Sequence, residues 1–106
     1  MYKPLPESLT IKTSGVHGLG LFADQKIIHG TNLGMSHLKI GDTIFRTPLG
    51  GFINHANIAN CVKAELRMSN EDLEGNQYNY KKWNLITIQD IKKGEELTVR
   101  YTFYNI

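Results

Sequence analysis

The sequence has 106 residues, of which 41% are hydrophobic and 21% charged, and these values are typical of one soluble globular domain with a single core. The net charge of +2, with no basic cluster longer than two residues, gives no support for nucleic-acid binding, and the single cysteine excludes an intramolecular disulfide and a cysteine-rich zinc site. Because no apolar run is long enough for a membrane span and no signal-peptide pattern opens the chain, we expect a cytoplasmic or other reducing intracellular compartment.

The first part of the chain predicts two short strands joined by a glycine-rich turn. Residues 1–8, with their prolines, predict an extended lead-in. Alternating residues at 9–12 and 19–22 then predict strands. The three glycines between 15 and 20 mark a turn with close backbone approach or positive φ. A dinucleotide-binding turn would need a long helix after it, and the residues that follow are too few for one.

The rest of the chain also alternates in short segments. Further strands are predicted at residues 38–40, 43–46, 61–67, 83–88 and 97–101. The polar stretch 69–79 predicts a loop that connects two strands of a hairpin. No segment offers three turns of amphipathic helix, so the predicted fold is mostly β.

Two segments, 22–31 and 86–95, share one pattern. Each leaves a strand and places an isoleucine three residues before a glycine, at Ile27 and Ile91. The pattern predicts a bend followed by a glycine where the next strand starts.

The stretch from Gly51 to Cys61 fits neither a helix nor a strand. It contains the pair Asn54 and His55 and a second asparagine, Asn60, separated by small or turn-prone residues. Asparagine amides hydrogen-bond nearby backbone readily, so this loop can present polar groups to a ligand. The same residues also fit an ordinary connecting loop whose amides satisfy its own turns.

Three segments in order, at 18–23, 54–60 and 94–101, resemble the SET domain of protein lysine methyltransferases. They match its Gly-x-Gly-x-Phe-Ala, Asn-His and Gly-Glu-Glu-Leu-Thr-x-x-Tyr motifs. The resemblance implies several short strands in small sheets with a knot-like C-terminal arrangement. It also implies one minimal domain over 1–106, in which residues 9–31 and 51–106 are the two halves and 32–50 form a short insert.

The same resemblance implies S-adenosylmethionine as cofactor, no metal, and a protein with an accessible lysine as substrate. The resemblance implies that Gly18, Leu19 and Gly20 approach the methionine end of the cofactor. It implies that Asn54 and His55 hold the cofactor's polar groups and adenine. Tyr101 corresponds to the catalytic tyrosine. Phe103 and Tyr104 are candidates for the wall of a lysine channel, because aromatic faces suit methylammonium groups.

Departures from the family pattern leave alternatives open. Ala56 and Ala59 replace a usual Ser and Pro, and the insert is short. A catalytically weak or inactive binding module that holds cofactor or a protein partner is therefore the alternative function. Tyrosines and lysines interleave over 78–83 as in single-strand nucleic-acid binders, but an ordinary hairpin is the preferred interpretation, and nucleic acid is not expected as a partner.

Further expectations concern assembly and the remaining polar residues. The apolar segment 102–106 predicts a homodimer that buries it, with no membrane partner. His17, His29 and His37 have no ligand-like spacing and are expected on the surface or in loops. Glu95 and Glu96 are expected to serve in a turn and in salt bridges rather than as an acid–base pair.

Overall fold

A computed structural model describes residues 5–16 and 18–100. The described part is mostly strand, as predicted, with one short helix. In chain order the elements are β1 (Leu9–Thr13), β2 (Leu19–Ala23), β3 (Asn32–Ile40), β4 (Thr43–Arg46), α1 (Pro48–Phe52), β5 (Asn54–His55), β6 (Cys61–Glu71), β7 (Gln77–Thr87) and β8 (Glu96–Val99).

Strand β8 links the two parts of the sheet. The hydrogen-bonded order is β1-β2-β8-β6-β7-β3-β4, and β5 pairs with β8 outside this path. β8 runs antiparallel to β2 and parallel to both β5 and β6. The last described strand therefore connects the N-terminal hairpin, which is far away in the sequence, to the long β6–β7 hairpin.

The core forms where the alternating apolar residues of these strands meet. In β1 and β2 the register places Leu9 opposite Ala23 and Ile11 opposite Leu21, so one face of the hairpin is apolar. Leu21, Leu85 and Leu97 are completely buried. The whole cluster comprises Leu9, Leu21, Ala23, Ile27, Leu33, Leu49, Ile53, Cys61, Leu85, Ile91, Leu97 and Val99. Burial raises the pKa of the Cys61 thiol to about 12, so this group is neutral in the core.

The two segments with a shared pattern pair with each other. Ile27 and Ile91 form an antiparallel bridge in which each amide donates to the other residue's carbonyl, at 2.9 and 2.8 Å. Gly30 and Gly94, three residues later in each segment, have φ of 85° and 91°. The prediction of a bend followed by a glycine before the next strand is therefore confirmed.

The β6–β7 hairpin is longer than predicted. Pairing continues to Glu71 opposite Gln77, and only residues 72–76 form the turn, whereas the predicted loop was 69–79. The side chains of this end are exposed on both faces, so alternation gave no signal there. The Asp72 carboxylate accepts hydrogen bonds from the amides of Glu74 and Asn76, both at 2.9 Å, which fixes the turn.

Strand β3 was predicted too short for a related reason. It starts at Asn32, but register shifts after Asn32 and after Met35 interrupt the alternation. The expectation that His37 lies on the surface or in a loop was wrong, because His37 lies within β3 and is 3% exposed. His29 is exposed as expected, and His17 lies outside the described residues. The expected knot-like C-terminal arrangement stays a prediction, because residues 101–106 also lie outside the described part of the chain.

Candidate functional site

The candidate site begins where the central stretch meets β8. Pro48 at the first turn starts α1, and the chain leaves this helix in extended conformation at Ile53. Asn54 and His55 then pair in parallel with Thr98 and Val99. Ile53 is buried while Asn54 is half-buried and His55 exposed, so the apolar residue anchors the segment and the two polar side chains lie toward the surface.

The Glu96 carboxylate joins the second and third motif segments to the loop just before the first. The Ser14 hydroxyl donates to Glu96 at 2.8 Å to Oε1 and 2.7 Å to Oε2, and Asn54 Nδ2 donates to Oε2 at 2.9 Å. The same Asn54 amide donates to the carbonyl of Leu19 at 3.1 Å. Hydrogen bonds to an ionised carboxylate are stronger than those between neutral groups. Glu96 therefore fixes the orientation of the Asn54 side chain against the glycine segment.

The two glycines of the first motif are required for different reasons. A Cβ on Gly20 would overlap Glu96 Oε2 and lie 3.0 Å from Asn54 Nδ2, so this position must lack a side chain for the carboxylate and the amide to fit. Gly18 has φ of 48°, and a Cβ there would meet no described atom within 4 Å. Gly18 is thus needed for its left-handed backbone, and its surroundings are open to a ligand.

A cavity of about 330 Å³ lies between the loop before β2 and the central stretch. Its lining residues are Val16, His55, Ala56 and Asn57. Desolvation of the imidazole and then the Lys63 ammonium lower the pKa of His55, so its ring is neutral near pH 7. A neutral imidazole offers one donor and one acceptor to a polar ligand.

Asn60, the second asparagine of the central stretch, holds β8 in place. Its Nδ2 donates to the Glu96 carbonyl and its Oδ1 accepts from the Thr98 amide, both at 2.9 Å. The side chain is 7% exposed, so these bonds are made inside the protein. Asn60 thereby sets the position of Glu96 along the sheet, and the candidate site depends on both asparagines.

The predicted site residues thus fall into two groups. The first motif and the central stretch come together through the contact of Leu19 with Asn54, and His55 lines the cavity with Val16 from the loop before the motif. Tyr101, Phe103 and Tyr104 lie outside the described residues, and β8 leads toward them from Val99.

Sequence reasoning missed the role of Glu96. A turn role was expected for both glutamates, and Glu95 has one, since its carboxylate accepts from the Lys92 amide at 2.8 Å. Glu96 instead accepts from uncharged side chains, and among the described residues it has no Lys or Arg partner. Alternation along β8 could have indicated to which face of the sheet the Glu96 side chain points. It could not have indicated that Ser14 and Asn54 lie beside this side chain.

Comparisons with known proteins agree with this architecture. The SET domain family model matches residues 35–102, well over half of the chain, so the protein belongs to the SET domain family. The match does not include the first motif. A comparison with curated proteins gave no significant match.

The fold is also similar to that of a solved structure. A candidate histone methyltransferase from Plasmodium falciparum superposes with a TM-score of 0.65 at 14% sequence identity. The alignment covers 94% of this chain and 97% of that one, so it includes the first motif. At this identity the likeness establishes the fold alone. In the described part of the chain, no helix is long and apolar enough to cross a membrane.

Proposed function

We propose that this protein is an S-adenosylmethionine-dependent methyltransferase that acts on lysine side chains of a protein substrate. Membership of the SET domain family supports the reaction class. The observation that carries the proposal is the Glu96 carboxylate, which holds the Asn54 amide against the glycine segment beside a cavity of about 330 Å³. This volume is at the lower end of those that hold small ligands.

We assign the cofactor's polar parts to residues at the contact of Asn54 with Glu96 and to His55, which lines the cavity. Gly18, whose surroundings are open, and the backbone of Leu19 and Gly20 are proposed to approach the methionine end of the cofactor. Both hydrogens of the Asn54 amide are used by Glu96 and Leu19, so Asn54 is proposed to contribute its carbonyl oxygen, and the neutral ring of His55 a donor and an acceptor, for the adenine and ribose. When bound, the cofactor supplies an electrophilic methyl group on a sulfonium.

The protein's own contribution is to position groups and exclude water. The substrate lysine has an ordinary pKa of about 10.4 and must lose its proton before it attacks. Tyr101 is proposed to orient the methyl through its hydroxyl, and Phe103 and Tyr104 to line the lysine channel. Alignment of the reacting atoms in a dry site supplies most of the rate in such a displacement.

The test is methyl transfer from isotopically labelled cofactor to a panel of lysine-rich proteins, read by mass spectrometry. Histones belong in the panel because the structurally similar protein is a candidate histone methyltransferase. We expect labelled lysine with the wild type and at least about a hundredfold less with Tyr101→Phe, as for the loss of one oriented catalytic donor. Equal labelling by both proteins would reject the role of Tyr101.

Calorimetry with the cofactor and its demethylated product separates the alternative function. Binding of either ligand without methylation of any substrate would identify a binding module that lacks turnover. Binding by the wild type with at least about tenfold weaker binding by Asn54→Ala would support the proposed cofactor site independently of activity.

We also propose a homodimer, on the apolar character of residues 102–106. Light scattering at micromolar concentration should report about twice the chain mass of 12.0 kDa. A monomer at every concentration would reject the proposed dimer. This result would not bear on the proposed activity.

A further inference from the structure

Three cationic side chains lie in a row across three neighbouring strands. Lys39 of β3 is directly opposite Lys81 of β7, and Lys81 is directly opposite Arg67 of β6. Residues directly opposite in a sheet point to the same face, and neighbouring strands are about 4.8 Å apart, so the row is about 10 Å long. We call Lys39, Lys81 and Arg67 the basic row.

The basic row is unfavourable for the sheet by itself. Like charges directly opposite each other destabilise a strand pair. Among the described residues, neither lysine has a carboxylate partner. Arg67 has one, since its Nε lies 3.3 Å from Glu65 Oε2, but its side chain is 77% exposed and can make further contacts. A folded chain that carries this repulsion has positive charge available for an outside partner.

The space in front of the basic row can receive such a partner. A cavity of about 530 Å³ is lined by all three cations, by Gly41, Met68 and Tyr80, and by the polar residues Ser69 and Asn79. These two residues are directly opposite each other, next to Arg67 and Lys81 toward the hairpin turn. Their hydroxyl and amide groups can donate to an anion that the cations attract. Glu71, two residues beyond Ser69, marks the end of this positive surface.

This surface is distinct from the candidate active site. Cys61, at the other end of β6, pairs with Val99, and Val99 also pairs with His55. Arg67 is six residues further along the same strand, a distance of about 20 Å. A ligand on the basic row therefore leaves the cavity beside His55 accessible.

We propose that the basic row is a docking site for an acidic peptide segment of a protein partner, recognised through clustered Asp and Glu carboxylates. Single-stranded nucleic acid fits less well, because its binding sites combine cations with stacking aromatics on one surface. Here Tyr80 lines the cavity, but Tyr78 lines a separate cavity with Met35 and Leu38, and Trp83 is buried, so the described residues do not place several aromatics beside the cations. Three cations are also few for a duplex, where proteins commonly contact 6–10 phosphates.

The test is fluorescence anisotropy with a labelled peptide rich in Asp and Glu, against a peptide of equal length in which Asn and Gln replace these residues. We expect the wild type to bind the acidic peptide, more weakly as salt is raised, and to ignore the neutral one. The triple variant Lys39→Gln, Lys81→Gln and Arg67→Gln should bind at least about tenfold more weakly. Thermal unfolding of this variant checks that it is folded.

A charge-matched variant separates local recognition from net charge. Lys26→Gln, Lys92→Gln and Lys93→Gln together remove three exposed cations elsewhere. This variant should bind the acidic peptide within about twofold of the wild type. Equal losses in both triple variants, or no binding of the acidic peptide by the wild type, would overturn the proposal. The proposal would also be overturned if a single-stranded oligonucleotide bound more tightly than the acidic peptide and lost this binding in the basic-row variant. The ligand of the basic row would then be nucleic acid.

Discussion

At the scale of single residues, Glu96 accounts for why three distant segments of the sequence meet. Its carboxylate accepts hydrogen bonds from Ser14 before β2 and from Asn54 in β5, and Gly20 in β2 leaves the space that the carboxylate occupies. A hydrogen bond to a charged group contributes about 1.5–3 kcal/mol, more than a neutral one. The glycine segment and the central stretch are thus held by one charged group rather than by apolar packing alone.

The first prediction is that Glu96→Gln lowers the free energy of unfolding by about 1–2 kcal/mol. Glutamine keeps one carbonyl acceptor but loses the charge, and its NH₂ group then faces donors from Ser14 and Asn54. Urea unfolding followed by Trp83 fluorescence measures the change. Under the proposed function, calorimetry should also show weaker cofactor binding, because the Asn54 amide is no longer held in one orientation.

Glu95→Gln is the matched control. Glu95 accepts from the Lys92 amide in the preceding turn, and the glutamine carbonyl can replace this contact. We expect a change below about 0.5 kcal/mol. If the two variants are equally stable, Glu96 does not hold the segments together.

The second prediction concerns His37. Burial first, and then the charges of Lys63, Arg46 and His55, lower the pKa of His37 to about 4 from its ordinary value of 6.5. Above pH 6.5 the ring is neutral in both the folded and unfolded states. Between pH 6.5 and 4 the unfolded chain binds a proton that the folded protein does not, so stability falls as the pH falls, by up to about 3 kcal/mol.

The measurement is the free energy of unfolding at several pH values between 7 and 4, for the wild type and His37→Gln. The carboxylates contribute equally to both proteins, so the difference between the two curves reports His37. We expect the wild-type curve to fall more steeply, and a control with exposed His29→Gln to follow the wild type. Parallel curves for wild type and His37→Gln would show that His37 titrates normally in the fold.

At the scale of elements, the contact between α1 and β3 allows a sharp comparison of two adjacent glycines. A Cβ on Gly50 would overlap the Ser36 carbonyl oxygen and lie 2.7 Å from His37 Cε1, whereas a Cβ on Gly51 would meet no described atom within 4 Å. Both residues lie in α1, where alanine is intrinsically preferred to glycine. Whether an alanine at each position stabilises or destabilises the protein therefore depends on the packing of α1 against β3.

The third prediction is that Gly50→Ala destabilises the protein by about 1–3 kcal/mol while Gly51→Ala is neutral or stabilising. The backbone of β3 cannot move away easily, because β4 and β7 flank it. Thermal unfolding of the two variants under identical conditions measures the difference. A destabilised Gly51→Ala, or an unaffected Gly50→Ala, would contradict the described packing of α1.

Local alternation was sufficient to predict some elements and insufficient for others. In β1 and β2, Leu9 and Ile11 pair with Ala23 and Leu21 on one face, so the apolar residues alternate and the positions of both strands were predicted closely. In β3 the bulges break the period, and at the end of the β6–β7 hairpin both faces are exposed. In these places backbone pairing continues where no side-chain pattern reports it.

The candidate site was predictable only in part. The residues of its motifs could be named from the order of the three segments, but the partners of Glu96 and Asn60 are 36 to 82 positions away in sequence. Contacts over such separations follow from the placement of β8 between β2 and β6, which local propensity does not determine. The basic row was missed for the same reason, since it combines three strands.

At the scale of the whole molecule, β8 decides whether the protein unfolds as one unit. Without it, β1 and β2 would lose their strand pairing to the rest of the sheet, because β2 pairs with β8 and β8 with β6. The strand has only four residues, Glu96–Val99, so its own ladder offers few hydrogen bonds. Asn60 supplies two more, to the Glu96 carbonyl and the Thr98 amide.

The last prediction is that Asn60→Ala destabilises the whole protein by about 2–5 kcal/mol. It removes the partners of two backbone groups, and an unsatisfied buried group costs about 1–3 kcal/mol. Small domains are stable by only about 5–15 kcal/mol in total, so this loss is a large share of the free energy of unfolding.

Asn57→Ala is the control, since Asn57 is exposed in the same stretch and its replacement should change stability by less than about 0.5 kcal/mol. Urea unfolding is followed by Trp83 fluorescence and by far-ultraviolet circular dichroism. We expect the two signals to shift together for Asn60→Ala, because β8 links both halves of the sheet; equal midpoints for the two asparagine variants would show that β8 is held without Asn60.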